Sequence, residues 1–204
     1  SGSNNYSMSF DGVDDYVDLG NSASLTSPVI PLRISLDFKN NNIEQGYNFI
    51  IGSGTLNGGF DFHYSNGKYI FRPIDENFEE YILETPPFYS QEWNQFEIVC
   101  DDQTASIFIN DSLQSSIPFQ SYINNDPISR LFIGADASGS SNGPNPEDGM
   151  RIDGSIDNLK IWNGQDLVAY YKFNAGTGNT LYDHSGNGNH GTINGATWVE
   201  NIHG

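Results

Sequence analysis

The 204-residue chain has a single cysteine, Cys100, so no intramolecular disulfide can staple it. A chain of this length buries enough core to do without one. Cys100 ends the apolar run Phe96-Glu97-Ile98-Val99-Cys100, where a small buried hydrophobe is expected. Basic residues are also scarce: 8 Lys and Arg stand against 26 Asp and Glu, a formal charge of −18. Such a surface repels phosphate backbones and anionic membranes, so no nucleic-acid partner is expected. No apolar run approaches the ~20 residues of a membrane span, so no membrane insertion is expected either. No segment keeps a helical period. There is no phosphate-cradling loop and no His-x-x-x-His pair; His63, His184, His190 and His203 are too scattered for a zinc site.

What is present is the punctuation of an all-β protein. Aromatics make up 13% of the chain, which argues against disorder despite the acidity. Short apolar stretches recur between Gly, Asn, Asp, Ser and Pro. Tyr6–Phe10, Tyr16–Leu19 and Leu32–Phe38 alternate apolar with polar and read as half-buried strands. Phe60–Tyr64 and Tyr69–Arg72 flank Ser65-Asn66-Gly67-Lys68, and Asn-Gly between alternating runs is a strong hairpin signal. Phe96–Cys100 and Ala105–Ile109 make a second hairpin, and Asn110-Asp111 turns again. Arg130–Gly134, Gly154–Trp162 and Leu167–Phe173 are further strands. A long loop, Asp136–Asp153, separates two of them, and Asn174–Gly195 holds only short strand-like pieces. Many short antiparallel strands mean a sandwich or a barrel. Ser1-Gly2-Ser3 reads as an artificial leader, and residues 4–204 as one domain.

Several stretches together resemble the laminin-G-like jelly-roll branch of the concanavalin-A-like lectin/glucanase superfamily. They are Ser9-Phe10-Asp11-Gly12-Val13-Asp14-Asp15-Tyr16-Val17, Gly154–Asn163, and Leu167–Phe173 with Asp183-His184-Ser185-Gly186-Asn187-Gly188-Asn189-His190-Gly191. Glu92-Trp93-Asn94-Gln95-Phe96 and Ile109–Ser112 fit the same pattern, although Ser112 replaces the usual glycine. The resemblance implies an antiparallel β-sandwich. In many relatives the stretch resembling Leu167–Gly191 precedes the Phe-Asp-Gly motif, whereas here it comes last. Permuted termini or a fragment of a tandem array would each produce that order.

Glucanases of this superfamily carry Glu-x-Asp-x-x-Glu on one strand, which sets a nucleophile and an acid about 5–5.5 Å apart. None of the nine Glu residues here has an Asp two places on, and a non-enzymatic chain is expected. The resemblance also implies one structural calcium. Asp157 matches the late-strand aspartate of relatives, and Asp183, Asn187 and Asp11 supply further hard oxygen donors. For a ligand, His63, Arg72 and Tyr81 are candidates on an outward strand face, and Asn142, Asn145 and Asp148 in the long loop. Trp93 and Trp162 are expected in the core. The expected function is a lectin-like, carbohydrate-binding module with a glycan or polysaccharide partner, part of a larger extracellular, cell-surface or virion protein. The alternative is a protein-adhesion or structural module that meets a protein receptor.

Overall fold

The computed structural model describes residues 6–44, 46–53, 59–120, 123, 130–136 and 150–200. In chain order the elements are β1 (Tyr6–Asp11), β2 (Tyr16–Asp18), one helical turn α1 (Ala23–Thr26), β3 (Leu32–Asn40), β4 (Tyr47–Gly52), β5 (Gly59–Ser65), β6 (Lys68–Ile74) and β7 (Leu83–Glu84). There follow β8 (Trp93–Cys100), β9 (Thr104–Ile109), β10 (Ser112–Pro118), β11 (Phe132–Ile133), β12 (Asp153–Asn163), β13 (Asp166–Tyr171), β14 (Thr180–Leu181), β15 (Gly191–Asn194) and β16 (Thr197–Glu200).

They form two antiparallel sheets packed face to face, a jelly-roll β-sandwich, as the sequence predicted. Sheet one runs β10-β9-β8-β3-β12-β1-β16, with β13 also on β12. Sheet two runs β14-β15-β2-β11-β4-β5-β6-β7. The C-terminal stretch joins the N-terminal one in both sheets: β16 pairs with β1, and β15 with β2. Among the described residues no helix is long and apolar enough to cross a membrane.

Alternation builds the core. In β3, Leu32, Ile34, Leu36 and Phe38 are all buried, while Arg33, Ser35 and Asp37 point outward. In β5 and β6, Phe60, Phe62, Tyr64, Tyr69 and Phe71 face them from sheet two. Phe38, Phe62, Tyr69 and Phe96 interlock between the sheets, the Tyr69 and Phe96 rings 4.4 Å apart. Cys100 is fully buried in the same core, and burial, with a smaller push from the Asp101 charge, raises its thiol pKa to about 12. Trp93 and Trp162, expected in the core, are instead half-buried on sheet one's outer face. The Arg33 guanidinium lies 4.5 Å over the Trp162 ring. A bulge in β12 between Asp157 and Lys160 contributes to this outward placement of Trp162.

One strand breaks the alternation. All seven residues of β5 are buried, including the outward-facing Asp61, His63 and Ser65. Something therefore covers the outer face of sheet two at that point.

Candidate functional site

The cover is a polar and aromatic cluster. Asp61 and His63 sit two apart on β5 and so share a face. His63 Nδ1 lies 2.5 Å from Asp61 Oδ1. Arg72, the cross-strand partner of Asp61 on β6, donates from Nε (2.8 Å) and Nη2 (2.7 Å) to Asp61 Oδ2. One fully buried carboxylate is thereby matched on one oxygen by an imidazole and on the other by a guanidinium, which offsets its desolvation. Tyr47 of β4 stacks on the His63 ring, centroids 4.2 Å apart and planes 23° apart. Phe49, two residues on, meets both rings edge-on. Ile70 opposes His63 from β6.

Surface groups border this layer. Glu80 Oε1 is 3.8 Å from Arg72 Nη1. Gly52 faces Asp61 across the β4–β5 ladder, and a Cβ there would sit 2.7 Å from Asp136 Oδ1. The glycine thus gives the Asp136 carboxylate room beside Asp61. Burial is the largest cause lifting the Tyr47 phenol to about 12; the Asp61 charge adds to it, Arg72 opposes, and Asp136 and Glu80 add further. Met150 accepts the Phe49 N–H at 3.1 Å. Asp136 and Met150, which precede and follow 137–149 in the chain, both lie beside the cluster. The arrangement is a half-buried phenol ring next to a largely buried guanidinium and surface carboxylates, fixed from below by a buried ion pair. Such a face can hydrogen-bond a hydroxyl-rich ligand and pack on its apolar side. Asp61 itself has both oxygens engaged and braces the face.

A second group of carboxylates lies in the turn between β1 and β2. Single ligand oxygens of Asp11, Asp14 and Asp15 all fall within 4.8 Å of one another. Asp15 Oδ2 accepts the Asp11 N–H at 2.9 Å, and Asp11 Oδ1 accepts the Val13 N–H at 2.9 Å. Burial raises the Asp15 pKa; the Asp11 N–H bond opposes it, and the Asp11 and Asp14 charges add to it. Hard oxygens so close together can hold a divalent cation such as calcium.

The four metal ligands expected from the sequence are not brought together. Asp11 joins this turn, Asp157 and Asp183 lie outside the group, and Asn187 shares the Asp183 turn through Ser185. Asp183 is saturated: Oδ1 accepts the Tyr170 and Ser185 N–H groups (2.9 and 2.8 Å), and Oδ2 accepts the Ser185 hydroxyl and the Asn189 N–H (2.8 and 3.0 Å). Burial would raise its pKa, but these four donors together hold it below the ordinary carboxylate value. Asn187 Nδ2 donates to the Leu167 carbonyl at 2.9 Å and to Ser185 Oγ at 3.0 Å, so it ties the same turn to β13. Asp157 is buried on sheet one's outer face, accepts the Asn158 N–H at 2.7 Å and stands opposite Asp37.

Of the ligand candidates, His63 and Arg72 meet through Asp61, although His63 is buried and not exposed. Tyr81 packs edge-on against Phe119, centroids 4.9 Å apart, and belongs to the rim of the core. Asn142, Asn145 and Asp148 lie outside the described residues. Tyr47, Glu80, Asp136, Asp14 and Asp15 escaped the sequence reading. The Asp-x-x-Asp-Asp spacing at 11–15 was a visible signal for the last two. Nothing local marked Tyr47, because its partners come from β5 and β6.

The model of a laminin-G family, described as the concanavalin A-like lectin/glucanases superfamily, matches residues 11–165. The chain belongs to that superfamily. No curated protein matches it. Solved structures share the fold at low identity. A Bacteroides ovatus protein, provisionally named a carbohydrate binding protein, aligns at TM-score 0.70 and 13% identity over 96% of this chain and 60% of its own. The heptameric SAP-like pentraxin of Limulus polyphemus aligns at 0.53 and 14% over 79% and 77%. Domains LG4-5 of mouse laminin α1 align at 0.55 and 11% over 82% and 45%. The chain therefore spans three fifths of the first and less than half of the laminin segment. The match to this superfamily leaves residues 166–200, with β13 to β16, beyond the family model, yet they complete both sheets.

Proposed function

We propose that this chain is a non-enzymatic carbohydrate-binding module whose ligand sits on the outer face of sheet two, over Tyr47, Arg72 and Glu80. The observation that carries the reading is the Tyr47–His63–Asp61–Arg72 cluster: an aromatic ring and a planar donor locked side by side on rigid strands. Preorganised polar groups beside an aromatic surface favour sugars, because little entropy is lost on binding. The superfamily and the named resemblance of the Bacteroides protein support the same reading. Asp136 and Met150, on either side of 137–149 in the chain, flank the face, so Asn142, Asn145 and Asp148 are proposed rim contacts. The module is proposed to act within a larger extracellular, cell-surface or virion protein.

A glycan array tests this. The wild-type chain should bind one class of uncharged sugar, and Tyr47→Ala should weaken binding about tenfold or more while the fold is kept. Polyuronates and sulfated glycans should bind poorly, since the face carries Asp61, Asp136 and Glu80. A folded protein that binds no glycan would remove the reading.

A structural calcium is proposed at Asp11, Asp14 and Asp15, in place of the Asp157–Asp183 set. Millimolar calcium should raise the melting temperature of the wild type, chelator should reverse the gain, and Asp14→Asn should abolish it. A calcium response that survives Asp14→Asn would place the ion elsewhere.

A further inference from the structure

The turn that follows β6 displays an aromatic ring to water. Phe78 is 62% exposed and has φ +63°. A bulky residue enters that left-handed region only at a cost of about 1 kcal/mol or more. The turn is tightly built. The Asp75 N–H donates to the Glu79 carbonyl and the Phe78 N–H to the Asp75 carbonyl, each at 3.0 Å. Asp75 Oδ1 accepts the N–H groups of Asn77 and Glu79 at 2.8 and 2.9 Å. Asparagine would occupy this left-handed position at lower backbone cost than phenylalanine.

The same turn reaches the face described above. Glu80 bridges to Ile74 and approaches Arg72. Chain and ion pair thus lead from Tyr47 and Arg72 to Phe78 without interruption. Four of the five chain neighbours from 75 to 80 are acidic, Asp75, Glu76, Glu79 and Glu80, with Asn77 the fifth, which disfavours an anionic occupant. One exposed ring is also too small by itself for a stable protein interface, which buries roughly 800 Å² on each partner. It does suit the flat C–H face of one neutral pyranose.

We propose that Phe78 is a distal stacking platform for the ligand held at Tyr47 and Arg72. The chain then grips an internal run of an extended, uncharged polysaccharide and not a terminal sugar. This rests on the glycan reading of that face and specifies the ligand's form.

The test is calorimetric titration with neutral β-glucan, xylan and mannan oligosaccharides of increasing length, on the wild type and on Phe78→Asn. Wild-type affinity should climb with length for the sugar it takes. Phe78→Asn should bind the shortest binding oligosaccharide as the wild type does, and the longest about tenfold more weakly. It should melt no lower than the wild type, because asparagine accepts the left-handed backbone. Equal affinity of Phe78→Asn and wild type for the long ligand would overturn the proposal and leave the glycan reading standing. So would a wild type indifferent to length. A wild type that binds none of these ladders but takes another sugar class on the array overturns the proposal alone; one that binds no glycan at all overturns both.

Discussion

The Asp183 side chain anchors the turn that follows β13 through the hydrogen bonds it accepts. The sequence Asp183–Gly191 offers carboxylate, amide and glycine carbonyl together, which is a plausible cation loop on paper. In the fold the carboxylate is consumed by four N–H and O–H donors from Tyr170, Ser185 and Asn189. Which donors reach a carboxylate depends on how the turn folds back on β13, and spacing alone does not encode that. Asp183→Ala leaves three backbone N–H groups without their acceptor and should cost about 2–4 kcal/mol in urea unfolding, equally with calcium or chelator. The pH dependence has a definite sign. A carboxylate with a depressed folded-state pKa contributes stability above its unfolded value of about 3.9 and loses it as pH falls through the lower folded value. The gap between wild type and Asp183→Ala should therefore be full at neutral pH and narrow in acid below that range.

At the level of elements, alternation and turn chemistry made most strands legible. The Asn66–Gly67 turn has φ of +50° and +83°, the primed geometry that the Asn-Gly pair announces. The turn at Asn110–Asp111 has φ of +49° and +61° and makes the same shape without glycine. Gly67→Ala should cost about 1–2 kcal/mol, whereas Asp111→Gly should be neutral or stabilising by about 0.5 kcal/mol, both read by denaturant midpoint. Less legible were β4 and the short β14 to β16. β4 reads Tyr-Asn-Phe-Ile-Ile-Gly, and the register shift between Phe49 and Ile51 breaks the period that would have marked it. That shift also matters for the candidate site, since Tyr47 and Phe49 must point outward to cover His63 while Ile51 turns inward.

For the whole molecule, composition and strand pattern specified an all-β chain, and the motifs spread along it, despite their permuted order, specified the sandwich and its superfamily. The site was legible only in part. His63 and Arg72 could be placed on one outward face, since each strand's alternation is local. Their joining through Asp61, and the Tyr47 ring above them, follow from how β4, β5 and β6 pair. The net charge of −18 acts at the same scale and disfavours acidic partners, and Arg72 is a cation already matched by Asp61. The central claim is that a glycan lies on this face of sheet two. The most direct measurement is two-dimensional amide NMR of the labelled chain titrated with the sugar found on the array. The account expects dose-dependent shifts at Tyr47, Phe49, His63, Arg72 and Glu80, with sheet one unmoved. Shifts confined to sheet one's outer face, around Trp162 and Tyr170, would contradict it.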